Sequence, residues 1–110
     1  MKPTLELATA RTGEDLVVTV RGEVDMESSP RLLAEIQHGL KQAPRVVVDL
    51  ADVAYMDSSG VAVLVQGLRA AKQGKRQFAL RRPSARVAAV LELADLQGLF
   101  PIDSAPRAGS

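Results

Sequence analysis

A chain of 110 residues with 46% hydrophobic content forms one domain, able to bury roughly two thirds of its unfolded surface. Its 14 basic and 13 acidic residues leave a net charge of +1, and aromatics make up 3%, so neither bulk charge nor stacking surfaces point to nucleic acid. The lack of cysteine excludes disulfide scaffolds, thiolate metal sites and cysteine nucleophiles, and without a signal core or a membrane-length run the expected setting is cytoplasmic, with no membrane insertion.

The chain opens with "TLEL" (Thr4–Leu7), which alternates apolar and polar, and "DLVVTVRG" (Asp15–Gly22), which is β-branched. With the turn chemistry of Gly13-Glu14-Asp15 between them, they predict an antiparallel strand pair. "SSPRLLAEIQHGLKQ" follows with helix-start punctuation, Ser29 as N-cap and Pro30 at the first helical position. Leu33, Ile36 and Leu40 form its apolar stripe, while Arg31, Glu35, His38 and Gln42 lie opposite. Pro44 closes the helix, and "RVVVDL" (Arg45–Leu50) reads as a buried strand. Strand, helix, strand implies a right-handed crossover to a parallel pairing.

"YMDSSGVAVLVQGLRAA" (Tyr55–Ala71) is ambiguous by composition, but Gln66, Arg69, Lys72 and Gln73 recur every three or four residues. Val61, Leu64, Val65 and Leu68 complete the complementary stripe, so the segment is a helix that Gly74 ends. "QFALR" (Gln77–Arg81) is a further strand, Pro83-Ser84 opens a third helix carrying Val87, Val90, Leu91 and Ala94, and "LFPI" (Leu99–Ile102) is a candidate short edge strand. The reading is an α/β (α+β) domain in the order β-β-α-β-α-β-α, a mixed sheet flanked by helices. Its core spans about residues 5–102, with "DSAPRAGS" (103–110) as a disordered tail.

Function in such a fold concentrates where strand ends meet helix starts, here between Leu50 and the second helix. Asp57 or Ser58 would be the N-cap, with Ser59 and Gly60 in the first turn. Capping accounts for one of these residues, not for two hydroxyls and a glycine together. Glycine in a first turn costs about 1 kcal/mol relative to alanine, which suggests a surface that something approaches closely. An enzyme is not expected: Ser58 lacks a base, since the single histidine, His38, falls on a polar helix face. Asp25 and Asp57 could be paired carboxylates, but no metal ligand set or phosphate cradle accompanies them, and no cofactor is implied. "RRPS" (Arg81–Ser84) looks like a basophilic kinase target, although capping explains Ser84 equally well.

"GEVD" (Gly22–Asp25), "VVVDL" and "YMDSSG", at this spacing and followed by helix, strand, helix, resemble a STAS domain of the anti-sigma factor antagonist type. The resemblance runs from about Leu5 to about Ile102. It implies a non-enzymatic switch in which Ser58, directly after the aspartate, is phosphorylated by an anti-sigma factor that is also a serine kinase. The unphosphorylated antagonist binds that kinase and so regulates sigma-dependent transcription. Gly22, Asp25, Asp57, Ser59 and Gly60 are implied partner-binding residues. Val61-Ala62 stands where antagonists often carry a bulky aliphatic and a second glycine. "GVAVLV" also resembles the helix start of small STAS proteins attached to lipid-transporting ABC permeases, whose partner is the transporter ATPase.

Overall fold

A computed structural model of the chain describes residues 5–103. Its elements follow the expected order: β1 (Leu5–Thr12), β2 (Asp15–Val24), α1 (Ser29–Gln42), β3 (Arg45–Met56), α2 (Ser58–Gln73), β4 (Gln77–Arg81) and α3 (Ala85–Leu93). The four strands form one sheet in the order β1-β2-β3-β4, β1 and β2 antiparallel and the other pairs parallel. Alternate residues of the strands point to one face, as period-2 geometry requires. Leu16, Val18, Val20, Val46, Val48, Leu50, Phe78 and Leu80 are buried there with Leu32, Ile36 and Leu40 of α1, Val61, Leu64 and Leu68 of α2, and Val87 and Leu91 of α3.

The departures from expectation lie at element ends. β1 runs to Thr12 rather than stopping at Leu7, because its backbone ladder to β2 continues to the Thr12–Asp15 pair although most of these side chains are exposed. β3 continues past Leu50 to Met56, still paired with β2, with register shifts opposite Thr19/Arg21 and Gly22/Glu23. Gly22 has φ +98 beside the second shift, a conformation that disfavours any side chain. The loop expected between Leu50 and the second helix therefore shrinks to Asp57.

In α1 the N-cap is Ser28, not Ser29, and Ser29 and Pro30 lie in the first turn. Leu32 replaces Leu33 as the inner residue, with Leu33 half-buried. In α3, Val87 and Leu91 are buried, Val90 is half-buried, and Ala94 is the exposed C-cap. The candidate last strand reduces to one parallel bridge, Leu80 to Ile102, held by the Leu80 N–H to the Pro101 carbonyl and the Asp103 N–H to the Leu80 carbonyl. Asp103, expected to begin a disordered tail, pairs with Arg45 and Arg81 and ties this segment to the edge of β4. The remainder of that tail lies outside the described residues. Among the described residues no helix is long and apolar enough to cross a membrane.

Candidate functional site

The parallel pairing of β2 and β3 brings their C-terminal ends side by side, Glu23 opposite Tyr55 and Val24 opposite Met56. Two loops leave from there, one into α1 and one into α2, and the Asp57 N–H donates to the Val24 carbonyl at 3.2 Å, joining them. At the start of α2 the Asp57 Oδ1 accepts the Ser59 N–H at 2.9 Å, and the Asp57 carbonyl accepts the Gly60 and Val61 N–H groups. This is the helix cap, and it settles the choice between Asp57 and Ser58.

Ser58 is thereby left exposed in the first turn, its hydroxyl bonded to nothing among the described residues, while Ser59 is half-buried. Ser84 differs. Its hydroxyl donates to the Val53 carbonyl at 2.8 Å and accepts the Val87 N–H, and Arg81 and Arg82 of the same "RRPS" stretch pair with Asp103 and Asp49. That hydroxyl is committed to the fold, so Ser58 is the one of the two that stands free.

The α1 loop is a latch built on Asp25. Its Oδ1 accepts the N–H groups of Glu27 (3.0 Å) and Ser28 (2.9 Å). The Ser28 hydroxyl accepts the Asp25 N–H and donates its one proton to the Glu23 carbonyl or to Asp25 Oδ1, each at 3.0 Å. Ser28 is buried and caps nothing in its own helix, because its side chain is turned back into the loop. These bonds, led by the Ser28 N–H and then its hydroxyl, hold the Asp25 carboxyl below its ordinary value of 3.8. Asp25 and Asp57 therefore each serve their own loop rather than a shared proton.

A depressed carboxyl contributes stability that is full above the unfolded pKa and is lost as pH falls through the folded one. Urea midpoints of the parent and of Asp25→Asn should thus differ by a constant amount above about pH 5 and converge below the ordinary carboxyl range. A difference that stays constant down to pH 2.5, an order-of-magnitude limit well below that range, would show that the latch does not depend on the charge.

Gly60 does not face an approaching partner. It is buried, and a Cβ there would stand 2.6 Å from Met56 Cγ and 2.9 Å from Val24 Cγ1, so what comes close is the protein's own core. Gly22 and Gly60 support the site from within, while Asp25, Asp57, Ser58 and Ser59 gather at one end of the sheet. Three further residues of that end were not singled out from the sequence: Met26, 76% exposed; Tyr55, 38% exposed; and Arg86, whose guanidinium lies 5.3 Å from the Tyr55 ring centroid. Met26 and Tyr55 are thus large apolar side chains left open to solvent at the end of the sheet that carries Ser58. Tyr55 stands at the head of the "YMDSSG" stretch and Met26 directly after the loop aspartate, whereas Arg86 carried no sequence signal.

A family model described as "Mlab, STAS domain" matches residues 7–101. The anti-sigma-B factor antagonist of Bacillus subtilis is 27% identical over 95 residues, covering 86% of this chain and 87% of that protein. Its counterpart in Staphylococcus aureus is 27% identical over 100 residues, covering 90% and 93%. Among solved structures, an anti-sigma factor antagonist from Mycobacterium paratuberculosis superposes with a TM-score of 0.81 at 22% identity, covering 92% of this chain and 86% of that one. The unphosphorylated antagonist SpoIIAA gives a TM-score of 0.72 at 22% identity, covering 91% and 88%, and these two likenesses speak for the fold alone. The chain belongs to the STAS domain family and is a distant relative of the anti-sigma factor antagonists.

Proposed function

We propose that this chain is an anti-sigma factor antagonist: a non-enzymatic protein-binding module that sequesters an anti-sigma factor serine kinase and is released when Ser58 is phosphorylated. The observation that carries the reading is the free, exposed Ser58 hydroxyl at a helix N-terminus whose cap is already supplied by Asp57. Asp57 and Ser59 flank it, and Asp25 lies in the adjoining loop, so all three belong to the contact surface, with Met26, Tyr55 and Arg86 around them. The distant kinship with antagonists supports a protein partner of this kind.

The test is to incubate the protein with its cognate kinase and ATP and map the product by mass spectrometry. Phosphate is expected on Ser58. Phosphate on Ser59 alone, or on Ser84, would overturn the assignment.

A second reading, a STAS subunit acting on the ATPase of a lipid-transport permease, is favoured by the small exposed Ala62 one turn along α2 from Ser58. In that case the same surface is a permanent contact and no phosphorylation cycle exists. Capture of a transporter ATPase, with no kinase, by wild-type and Ser58→Ala baits alike would select it.

A further inference from the structure

At the end of the sheet opposite Ser58, the C-terminal turns of α1 and α2 border an open cleft of about 610 Å³ lined by Gln37, Leu40, Lys41, Ala70, Gly74 and Arg76. A second hollow of about 360 Å³ shares Arg76 with it and adds Lys72. Among the described residues, Lys41, Lys72, Lys75 and Arg76 have no carboxylate partner; Arg11, Arg31, Arg69 and Arg86 have none either, but none of those four lines either hollow. Cations at helix C-termini are ordinarily explained by the macrodipole. Two C-termini at about −0.5 charge each are already outweighed by Lys41 and Lys72 in the last turns, which leaves Lys75 and Arg76 uncompensated.

The Gly74-Lys75 pair sharpens the point. Gly74 has φ −89, open to any residue, and a Cβ there would meet nothing nearer than the Ala70 carbonyl oxygen at 3.4 Å. Lys75, directly after it, takes φ +57, the position past a helix end where glycine is the usual residue. Glycine thus stands where the backbone does not require it, leaving the cleft wall bare, and lysine stands where glycine would be less strained.

We propose that this cleft binds a phosphate monoester, with Lys41 and Arg76 holding the phosphoryl oxygens and Leu40 and Ala70 taking an apolar group attached to it. Several unpaired cations match a dianion better than a single carboxylate, and the arginine fork suits phosphoryl geometry. The ligand can be a soluble ester or the headgroup of an anionic lipid, since both present the same chemistry.

The ¹⁵N-labelled full chain, titrated by NMR with glycerol 3-phosphate and separately with dioctanoyl phosphatidic acid below its micelle concentration, tests this. Saturable shifts are expected at residues 37–43 and 70–77. Lys41→Ala and Arg76→Ala should each weaken binding about tenfold, the size of one charge-assisted hydrogen bond. Lys75→Gly should weaken it about threefold while melting no lower than the parent, which separates loss of the ligand from loss of the fold. Preference for the lipid assigns a headgroup, and equal binding assigns a soluble ester. Absence of saturable shifts with both probes, equal binding of sulfate at the same concentration, or an Arg76→Ala variant that binds like the parent would overturn the proposal.

Discussion

Gly60→Leu should give a chain with no cooperative unfolding transition, because the first turn of α2 has no room for a side chain. Even one methyl group at Gly60 would lie 2.6 Å from Met56 Cγ, 2.9 Å from Val24 Cγ1 and 3.1 Å from Met56 Sδ. Both neighbours are sealed in the core, Met56 at 1% and Val24 at 0% exposure, so neither can swing into solvent to relieve the contact. Overpacking typically costs about 1–3 kcal/mol for modest insertions, and leucine brings three more carbons than alanine. With no neighbour able to yield, a cost several times that figure, about 5 kcal/mol or more, reaches the total stability of about 5–15 kcal/mol of a small domain.

Gly60→Ala is the graded version. The helix gains about 1 kcal/mol from replacing glycine, which offsets part of the clash of about 1–3 kcal/mol, so a net loss of up to about 2 kcal/mol is expected in urea unfolding followed by circular dichroism. Met56→Ala removes the atom nearest to the new methyl, and the double variant should therefore lose less than the two single losses added together. Strict additivity, or a Gly60→Leu protein with the parent's midpoint, would show that the glycine is not a packing residue.

The same glycine marks where the sequence stops being legible. A glycine after "DSS" can be read as clearance for an outside partner or for an inside one, and only the placement of Met56 and Val24 distinguishes them. Elements whose signal is local were readable: "QFALR" coincides with β4, and Ser84 caps α3 as its position before an apolar run predicts. Elements held by their neighbours were not. The end of β1 and the stretch from Ala51 to Met56 carry few buried side chains and exist because β2 offers them a hydrogen-bonding edge, a non-local term that no window of sequence contains. The α1 cap slipped by one residue for a related reason, since Ser28 is recruited by Asp25 three positions back instead of by its own helix. The spacing Asp25-Met26-Glu27-Ser28 was the available sign of that turn. At the site, the choice of Ser58 over Ser59 rests on the family resemblance, while the meeting of Tyr55 with Arg86 depends on β3 and α3 packing together.

Phosphorylation of Ser58 should weaken the complex with the cognate kinase about a hundredfold, and Ser58→Asp about tenfold, with Ser58→Ala binding like the parent and resisting release by ATP. The phosphate brings about −1.5 to −2 charge to an exposed first-turn hydroxyl. The free N–H groups of the helix start return about 0.3–1 kcal/mol, so the isolated phosphoprotein should melt no lower than the parent. A carboxylate about 6 Å from the phosphate, the separation expected for a neighbouring acid, opposes it by on the order of 3 kcal/mol per unit charge at an effective dielectric of 20. Asp57 is adjacent, and the hydrogen bond from Asp57 to Val24 joins its loop to the one that carries Asp25 and Glu27. In the free protein, water and salt screen these charges from one another. A partner that covers the loop removes the screening, so the repulsion is felt chiefly in the complex, and a loss of about 1.4 kcal/mol is already one decade of affinity. Aspartate carries about half the charge of the phosphate and should have a correspondingly smaller effect. Calorimetric titration of the kinase with the four forms measures the series directly. Equal affinity for the parent and Ser58→Asp, at both low and physiological salt, would rule out charge as the means of release. A phosphoprotein that unfolds would instead place the switch in the fold, against the helix-start geometry in which Asp57, not Ser58, makes the cap.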